Sequence, residues 1–429
     1  MIIGIDDTDS REGMCTTYLC TTLADELIEF GEVSKDLLLI RLNPTIPYKT
    51  RGNAAVALQI NTEVPQDVIK HVSKRVFQLS RLSDENTNPG IVFVPDNISK
   101  NAQSQLVAFF REATRSVIEI NSAISMINRM SLEYKGFKNG RGLIGALAAC
   151  GAVFDDKMDY TYEYIAYRKR EAWGNLRYVD EKTIFMAHKK TYPKTWDNVD
   201  TTAKKAVCIP KSGDPVLYGI RGSCIESIFQ FISMLKSESV ENSALFRTNQ
   251  GTDMHILAVD TIKKIVNMKS YKVRCIVDSI PKTLHGGHII LRVCDDYGYK
   301  LDCAAYEPTK QFRHIIKKLL PGDIVVLFGS VMGSTLNIEK IHIKTLTKYY
   351  EIINPICPSC KKRMESAGKN KGYRCKKCKK NSSLKQAIEL KRDISPGFYE
   401  VPPGARRHLA KPLIRIMQQG RHSNIFPST

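Results

Sequence analysis

Two cysteine pairs, Cys357-Pro-Ser-Cys360 and Cys375-Lys-Lys-Cys378, stand fourteen residues apart, and this spacing narrows what the segment can become more sharply than any other feature of the chain. Each CxxC forms one knuckle. Two knuckles set four thiolates around a single Zn²⁺ in a tetrahedral shell with no position left open for water. The predicted metal is therefore structural, and chemistry must lie elsewhere. Between Lys361 and Lys380 the segment carries ten Lys and Arg against one acid, Glu365. A knuckle too small for a core of its own thus displays a dense positive face, the electrostatic footprint of a polyanion partner.

The rest of the charge supports that partner. The chain has 429 residues, a formal charge of +20 and a pI of about 9.4, far more than solubility requires. From residue 355 onward, 18 Lys and Arg face 4 Asp and Glu, so +14 of the +20 lies in the last fifth of the sequence. No stretch approaches the ~20 apolar residues of a membrane span, and the opening MIIGIDDTDS has neither a basic leader nor an apolar signal core. A soluble, cytoplasmic protein is expected. The other eight cysteines (15, 20, 150, 208, 224, 275, 294 and 303) lack paired spacing, as expected of reduced thiols rather than disulfides.

Hydrophobic patterning divides the chain into units of α/β and α+β type. Residues 2–5 form an apolar run that stops at Asp6, which reads as a buried strand ending in carboxylates. Leu19, Leu23, Leu27 and Phe30 recur at helical spacing before Gly31, so a strand, an acidic loop and a helix open the protein. Strands are predicted at 37–42 and 54–60 and helices at 65–82 and 104–120, closing a first domain near residue 125. A second unit, 126–262, starts at the turn Gly136-Phe-Lys-Asn-Gly140-Arg-Gly142 and a helix over 143–150. Strands at 159–167, 183–187 and 206–209, a helix at 224–235 and a strand at 244–247 suggest a ferredoxin-like layer. A third unit, 268–346, has five strands (271–278, 288–294, 299–306, 323–331, 336–343) with a helix over 310–320 between the third and fourth. That order is the oligonucleotide-binding (OB) barrel. The knuckle over 354–384 and a partly ordered basic arm over 385–429 follow, and a chain ending near Leu346 is expected to keep its fold.

Three carboxylates within four residues, Asp6, Asp7 and Asp9, are the strongest catalytic candidates. So crowded, they cannot all stay charged cheaply without a cation, and Mg²⁺ takes one or two carboxylates with substrate phosphates completing its shell. Thr16 and Thr17 follow at the N-terminus of the predicted helix, where free amides favour phosphate and a hydroxyl can contact or accept a phosphoryl group. Arg41, Lys49 and Arg51 flank a loop stiffened by Pro44 and Pro47 and suit charge developing on phosphoryl oxygens. Asp197, Asp200, Asp214 and Arg221 are polar candidates of the second unit; Asp84–Gly90 is a polar loop of open role. There is no GxxxxGK[ST] and no HRD or DFG set, which excludes the P-loop and protein-kinase folds. Metal-assisted phosphoryl transfer on RNA is the leading chemistry. An RNA kinase or other processing enzyme, and a non-catalytic RNA-binding adaptor, stay open.

In order along the chain, GIDDTDS, GMCTTYL, IRLNPTIPYKTRGN, NPG, KNGRGLIGALAA, TWDNVD, GDPVLYGIRG and RTNQGTDMH, with the barrel and knuckle behind them, resemble the archaeal tRNA-Ile 2-agmatinylcytidine synthetases. The match spans essentially the whole chain, and GIDDTDS with IRLNPTIPYKTRGN is its specific core. The resemblance implies a kinase-like domain, a ferredoxin-like domain, an OB barrel and a zinc ribbon. It implies ATP-dependent joining of agmatine to C2 of the wobble cytidine of isoleucine tRNA with a CAU anticodon, through phosphoryl activation of the cytidine O2, so that the tRNA reads AUA. Asp6, Asp7 and Asp9 then match metal carboxylates, Thr16 a phosphorylatable threonine, and Arg51, Asp214 and Arg221 polar positions at a domain interface. The acids nearest agmatine are expected among Asp197, Asp200 and Asp214, and no obligate protein partner is implied. The chain departs from the family pattern at Lys211-Ser212-Gly213 before Asp214 and at Ala54 after Asn53.

Overall fold

A computed structural model describes residues 1–49, 52–213 and 215–422. Arg51 and Asp214, both expected in the site, lie outside the described residues. The apolar runs of both N-terminal units enter one continuous nine-stranded sheet. Its spatial order is Val216–Gly222, Thr161–Arg168, Val240–Thr248, Leu37–Arg41, Ala54–Asn61, Ile2–Asp6, Gly90–Val94 and Glu133–Gly136, with Glu32–Val33 beside Ala54–Asn61. The seam is the parallel pairing of Phe246, Arg247 and Thr248 with Leu37, Leu38 and Leu39. Ile2–Asp6 is the fully buried inner strand that its four-residue apolar run predicts, flanked on both sides by antiparallel partners.

One face of the sheet is covered by the helices Lys100–Arg115, Ile120–Arg129 and Gly142–Val153. The last is built from Gly, Ala and Leu and is buried on nearly every side. Such small residues let its backbone lie against the sheet: a Cβ on Gly4 would meet the Ala146 carbonyl at 2.1 Å. The other face packs the helix Thr16–Glu26 and Pro65–Leu79.

Two expected elements are corrected. Residues 183–187 are not a strand but the middle of a helix, Glu181–Thr191, capped by the Asp180 side chain. Thr183, Ile184, Ala187 and Thr191 are its buried positions, and this helical spacing is invisible in a five-residue window. The helix expected over 104–120 runs over Lys100–Arg115 and stops at Ser116, whose backbone is extended; a separate helix starts at Ile120.

Residues 270–345 close into a five-stranded barrel, with Ser270–Val277 pairing both Ile324–Met332 and Ile289–Cys294, and the helix Phe312–Lys317 between its third and fourth strands. Beyond it, Tyr349–Ile353 pairs antiparallel with Gln386–Leu390, and the four-cysteine ribbon hangs from this ladder.

The C-terminal segment is woven into the molecule. Gly397–Glu400 adds a strand to Thr335–Thr345 of the barrel. Val401, Leu409, Ala410 and Arg415 are buried. Arg407 Nε meets Glu339 Oε1 of the barrel at 3.2 Å, while Lys411 Nζ and Arg415 Nη2 meet the two oxygens of Asp159, just before the strand Thr161–Arg168, at 2.7 and 2.8 Å. These contacts count against the expectation that a chain ending near Leu346 keeps its fold. Such a chain should melt lower by roughly 10 °C or more in scanning calorimetry, since it exposes several core side chains and strands buried charges. Deleting 354–385 and joining Ile353 to Gln386 through an Asn-Gly turn should shift the midpoint by only about 3 °C, because those residues already face each other in the ladder.

Candidate active site

The strand Ile2–Asp6 ends under the N-terminus of the glycine-rich helix, and this junction shapes the acidic loop. Asp6 Oδ2 lies where a side chain on Gly145 would be: a Cβ there would stand 1.8 Å from it. Asp7 takes a left-handed conformation (φ 60°) and donates its amide to Asp6 Oδ1 at 2.7 Å. Thr8 Oγ1 donates to Thr16 Oγ1 at 3.0 Å, tying the loop to the helix Thr16–Glu26. The polar loop 84–90 acquires a role as the brace of this turn, with Thr87 Oγ1 donating to the Asp9 carbonyl at 2.7 Å. Arg141, from the glycine-rich turn, reaches Asp7 Oδ2 at 3.4 Å and stacks over the Tyr48 ring at 4.5 Å.

Burial first, then the neighbouring charges of Asp7 and Asp9, push the Asp6 carboxyl well above its ordinary range. Burial likewise lifts Asp7 to about 6, with Asp9 adding and Arg141 opposing. Acids this uncomfortable await a cation. Among the described residues only the four cysteines bring three or more ligand atoms within 4.8 Å of one another. Asp6, Asp7 and Asp9 are the residues of this loop that could hold a cation.

The acidic loop opens on a cavity of about 390 Å³ at the seam of the large sheet, within the size range of small-molecule sites. Asp6, Asp7, Asp9, Thr16, Thr17, Lys49 and Arg221 all line it. Arg41 lines it too, from the end of its strand, donating Nη1 to the Gly52 carbonyl at 2.9 Å. Opposite stands Glu163, which sequence reading passed over. Its Oε1 accepts from Arg221 Nε at 2.9 Å, and its Oε2 accepts from Gln250 at 2.5 Å and lies 3.8 Å from Arg41 Nη2. Burial acts to raise the Glu163 pKa, but Arg221 and Arg41 outweigh it and hold the acid ionised. Burial lowers Arg41 to about 10 and Lys49 to about 8, the latter helped by Arg407. A lone acid in the otherwise apolar and aromatic run Thr161–Tyr167 was the available signal for Glu163.

Asp197 and Asp200 do not line the cavity. Asp197 is ion-paired with Arg406, and Asp200 Oδ1 caps the amides of Thr202 and Ala203 at 3.1 and 2.9 Å. The C-terminal segment instead brings in His408, a lining residue for which the sequence carried no motif.

A cavity lined by paired acids and clustered cations, on a chain that also carries a closed barrel and a four-cysteine ribbon, defines an enzyme of phosphate chemistry that works on a nucleic acid. Comparison with known proteins narrows the class. Residues 2–138 match the TiaS TCKD domain model, 140–255 the TiaS FLD domain and 354–394 the TiaS C-terminal zinc ribbon domain. The tRNA(Ile2) 2-agmatinylcytidine synthetase TiaS of Methanosarcina mazei is 55% identical over 97% of both chains, and that of Archaeoglobus fulgidus 44% identical over 98% of both. A crystal structure of a TiaS–tRNA(Ile2)–ATP complex superposes with a TM-score of 0.88 at 42% identity, covering 96% of this chain and 97% of that one. A TiaS–tRNA(Ile2)–AMPCPP–agmatine complex gives 0.86 at 39% identity over 100% and 98%. The chain belongs to the tRNA(Ile2) 2-agmatinylcytidine synthetase (TiaS) family.

The raised Asp7 pKa sets a stability test. Its folded value lies above the unfolded one, so ionisation opposes folding: the penalty is full above about pH 6 and disappears below the unfolded value of 3.8. The gap corresponds to about 3 kcal/mol. In metal-free buffer Asp7→Asn should therefore raise unfolding free energy by up to about 3 kcal/mol at pH 7.5 and by much less near pH 4, read from denaturant melts at both pH values.

Proposed function

We propose that this protein joins agmatine to C2 of a cytidine in tRNA(Ile2) in an ATP-dependent reaction, giving 2-agmatinylcytidine. The observation that carries the reading is the convergence of Asp6, Asp7, Asp9, Thr16, Arg41 and Arg221 on one cavity in a chain related end to end to TiaS proteins. Relatives have been crystallised with tRNA(Ile2), ATP, AMPCPP and agmatine. Among the described residues no helix is long and apolar enough to cross a membrane, and a cytoplasmic location accords with work on tRNA. We read residues 1–125 as a kinase-like ATP domain, 126–262 as ferredoxin-like, 268–346 as an OB barrel, 354–384 as the zinc ribbon and 385–429 as a basic arm.

In this reading Asp6, Asp7 and Asp9 hold Mg²⁺, which supplies charge neutralisation between phosphates. The amides at the start of Thr16–Glu26 and the Thr16 and Thr17 hydroxyls receive phosphate oxygens. Arg41, Lys49 and Arg221 face the charge that develops as a phosphoryl group passes to the cytidine O2, and Arg51 belongs with them by its place in the motif. Glu163 keeps Arg41 and Arg221 apart from each other's repulsion and aimed at the cavity. Asp214 remains an agmatine candidate by its motif. Asp197 and Asp200 would act on agmatine only by giving up Arg406 and the 202–203 amides.

Radiolabelled agmatine, tRNA transcript, ATP and Mg²⁺ test the reading. Label should enter the tRNA only with every component present; ATP consumption without label would make the protein a kinase, and neither outcome an adaptor. Asp7→Asn should lower turnover by about 100-fold or more while leaving tRNA affinity nearly intact. Thr16→Ala at wild-type rate would reduce Thr16 to a helix-terminal hydroxyl.

The ribbon offers a second test. Cys357, Cys360, Cys375 and Cys378 form the four-ligand cluster of a zinc ribbon domain. Chelation should abolish folding of the ribbon and weaken tRNA binding. The slope of log affinity against log salt should also become shallower, because its lysines and arginines no longer present one face.

A further inference from the structure

His408 lines the cavity without a task in the scheme above, and its placement is specific. The segment that delivers it is pinned on both sides. Gly251 N donates to the His408 carbonyl at 2.8 Å, Thr252 N donates to the Leu409 carbonyl at 3.1 Å, and Arg407 is held by Glu339. The ring enters beside Gly52, where a Cβ would stand 3.3 Å from His408 Nε2 and 2.7 Å from Arg41 Nη1. The missing side chain lets ring and guanidinium approach. His408 Nδ1 is buried and has no hydrogen-bond partner among the described residues.

The charged groups facing the ring are Arg41 from its strand end, Lys49 from the proline loop and Arg221 from Val216–Gly222, with Glu163 behind the two arginines. Burial first, then these three cations, hold the imidazole well below its ordinary pKa and therefore neutral. Among the cations around it, the neutral ring carries a lone pair that can accept a proton. Phosphate oxygens want donors and find them in the arginines. Of the reacting groups, the incoming amine is the one that must lose a proton.

We propose that His408 is a catalytic residue of the ligation step, accepting the proton that the primary amine of agmatine releases as it attacks the activated cytidine. This rests on the function proposed above. The nitrogen lone pair forms the C2–N bond, and the surplus N–H proton passes to the imidazole and then to solvent. The C2–O bond breaks with its electron pair on the phosphoryl-bearing oxygen, which leaves as inorganic phosphate. Substrate phosphate on Arg41, Lys49 and Arg221 offsets the cations that keep the ring neutral, so the imidazole becomes more basic when the activated cytidine is in place.

The test uses the full-length protein, tRNA and ATP at saturation. His408→Ala should lower the agmatine incorporation rate by about 100-fold, and added imidazole should restore about tenfold of it in proportion to its free-base form. His408→Gln, which keeps size and hydrogen bonding, should be as slow as His408→Ala. Three results overturn the proposal: His408→Ala within about threefold of wild type, a fast His408→Gln, or a loss that imidazole does not relieve. A raised ATP KM with unchanged kcat would also overturn it and make His408 a phosphate contact. Wild-type protein that incorporates no agmatine removes the proposed function and this step together. Incorporation by wild type and by His408→Ala alike removes only this step.

Discussion

Glu163 is the interaction on which the catalytic half of the molecule turns. It stands on the strand Thr161–Arg168, accepts from Arg221 on the neighbouring strand and faces Arg41 across the parallel seam. A buried charge triad of this kind adds little net stability, yet loss of any one member leaves uncompensated charge in the interior. It therefore selects a register more than it strengthens the fold. Slippage at the seam would separate Arg41 from Glu163 and would turn the apolar side chains around it to the wrong face.

The cavity sits where that triad is because the seam joins two chain segments with opposite needs. One brings the carboxylates of Asp6, Asp7 and Asp9, the first two raised by burial; the other brings Arg221 and the acid that balances it. Acids and cations lie within one small volume, where Arg141 pairs with Asp7 of the acidic loop. A magnesium nucleotide can satisfy both sets at once, its metal on the acids and its phosphates on the cations.

The C-terminal segment makes the same volume depend on distant parts of the chain. It leaves the ribbon, adds a strand to the barrel, lays Arg407 against Glu339 and anchors on Asp159. His408 reaches the cavity between those anchors. Barrel, ribbon and catalytic sheet thus share one tether, which carries a residue of the cavity wall.

The sequence alone determined whatever depends on local spacing. Two CxxC pairs specify a four-ligand cluster, a short apolar run ending in aspartates specifies a buried strand with carboxylates at its tip, and five alternating strands specify a barrel. Family motifs carried the activity, because motif residues are consecutive. Only the tertiary structure decided what depends on distant pairings. It merged two units into one sheet, placed Glu163 between two arginines, tied Asp197 and Asp200 to other partners, and turned a basic tail into an interior strut. The helix Glu181–Thr191 escaped because its buried positions span more residues than a five-residue window. His408 was illegible for a stronger reason: no local pattern marks a residue whose surroundings come from strands nearly the whole chain length away.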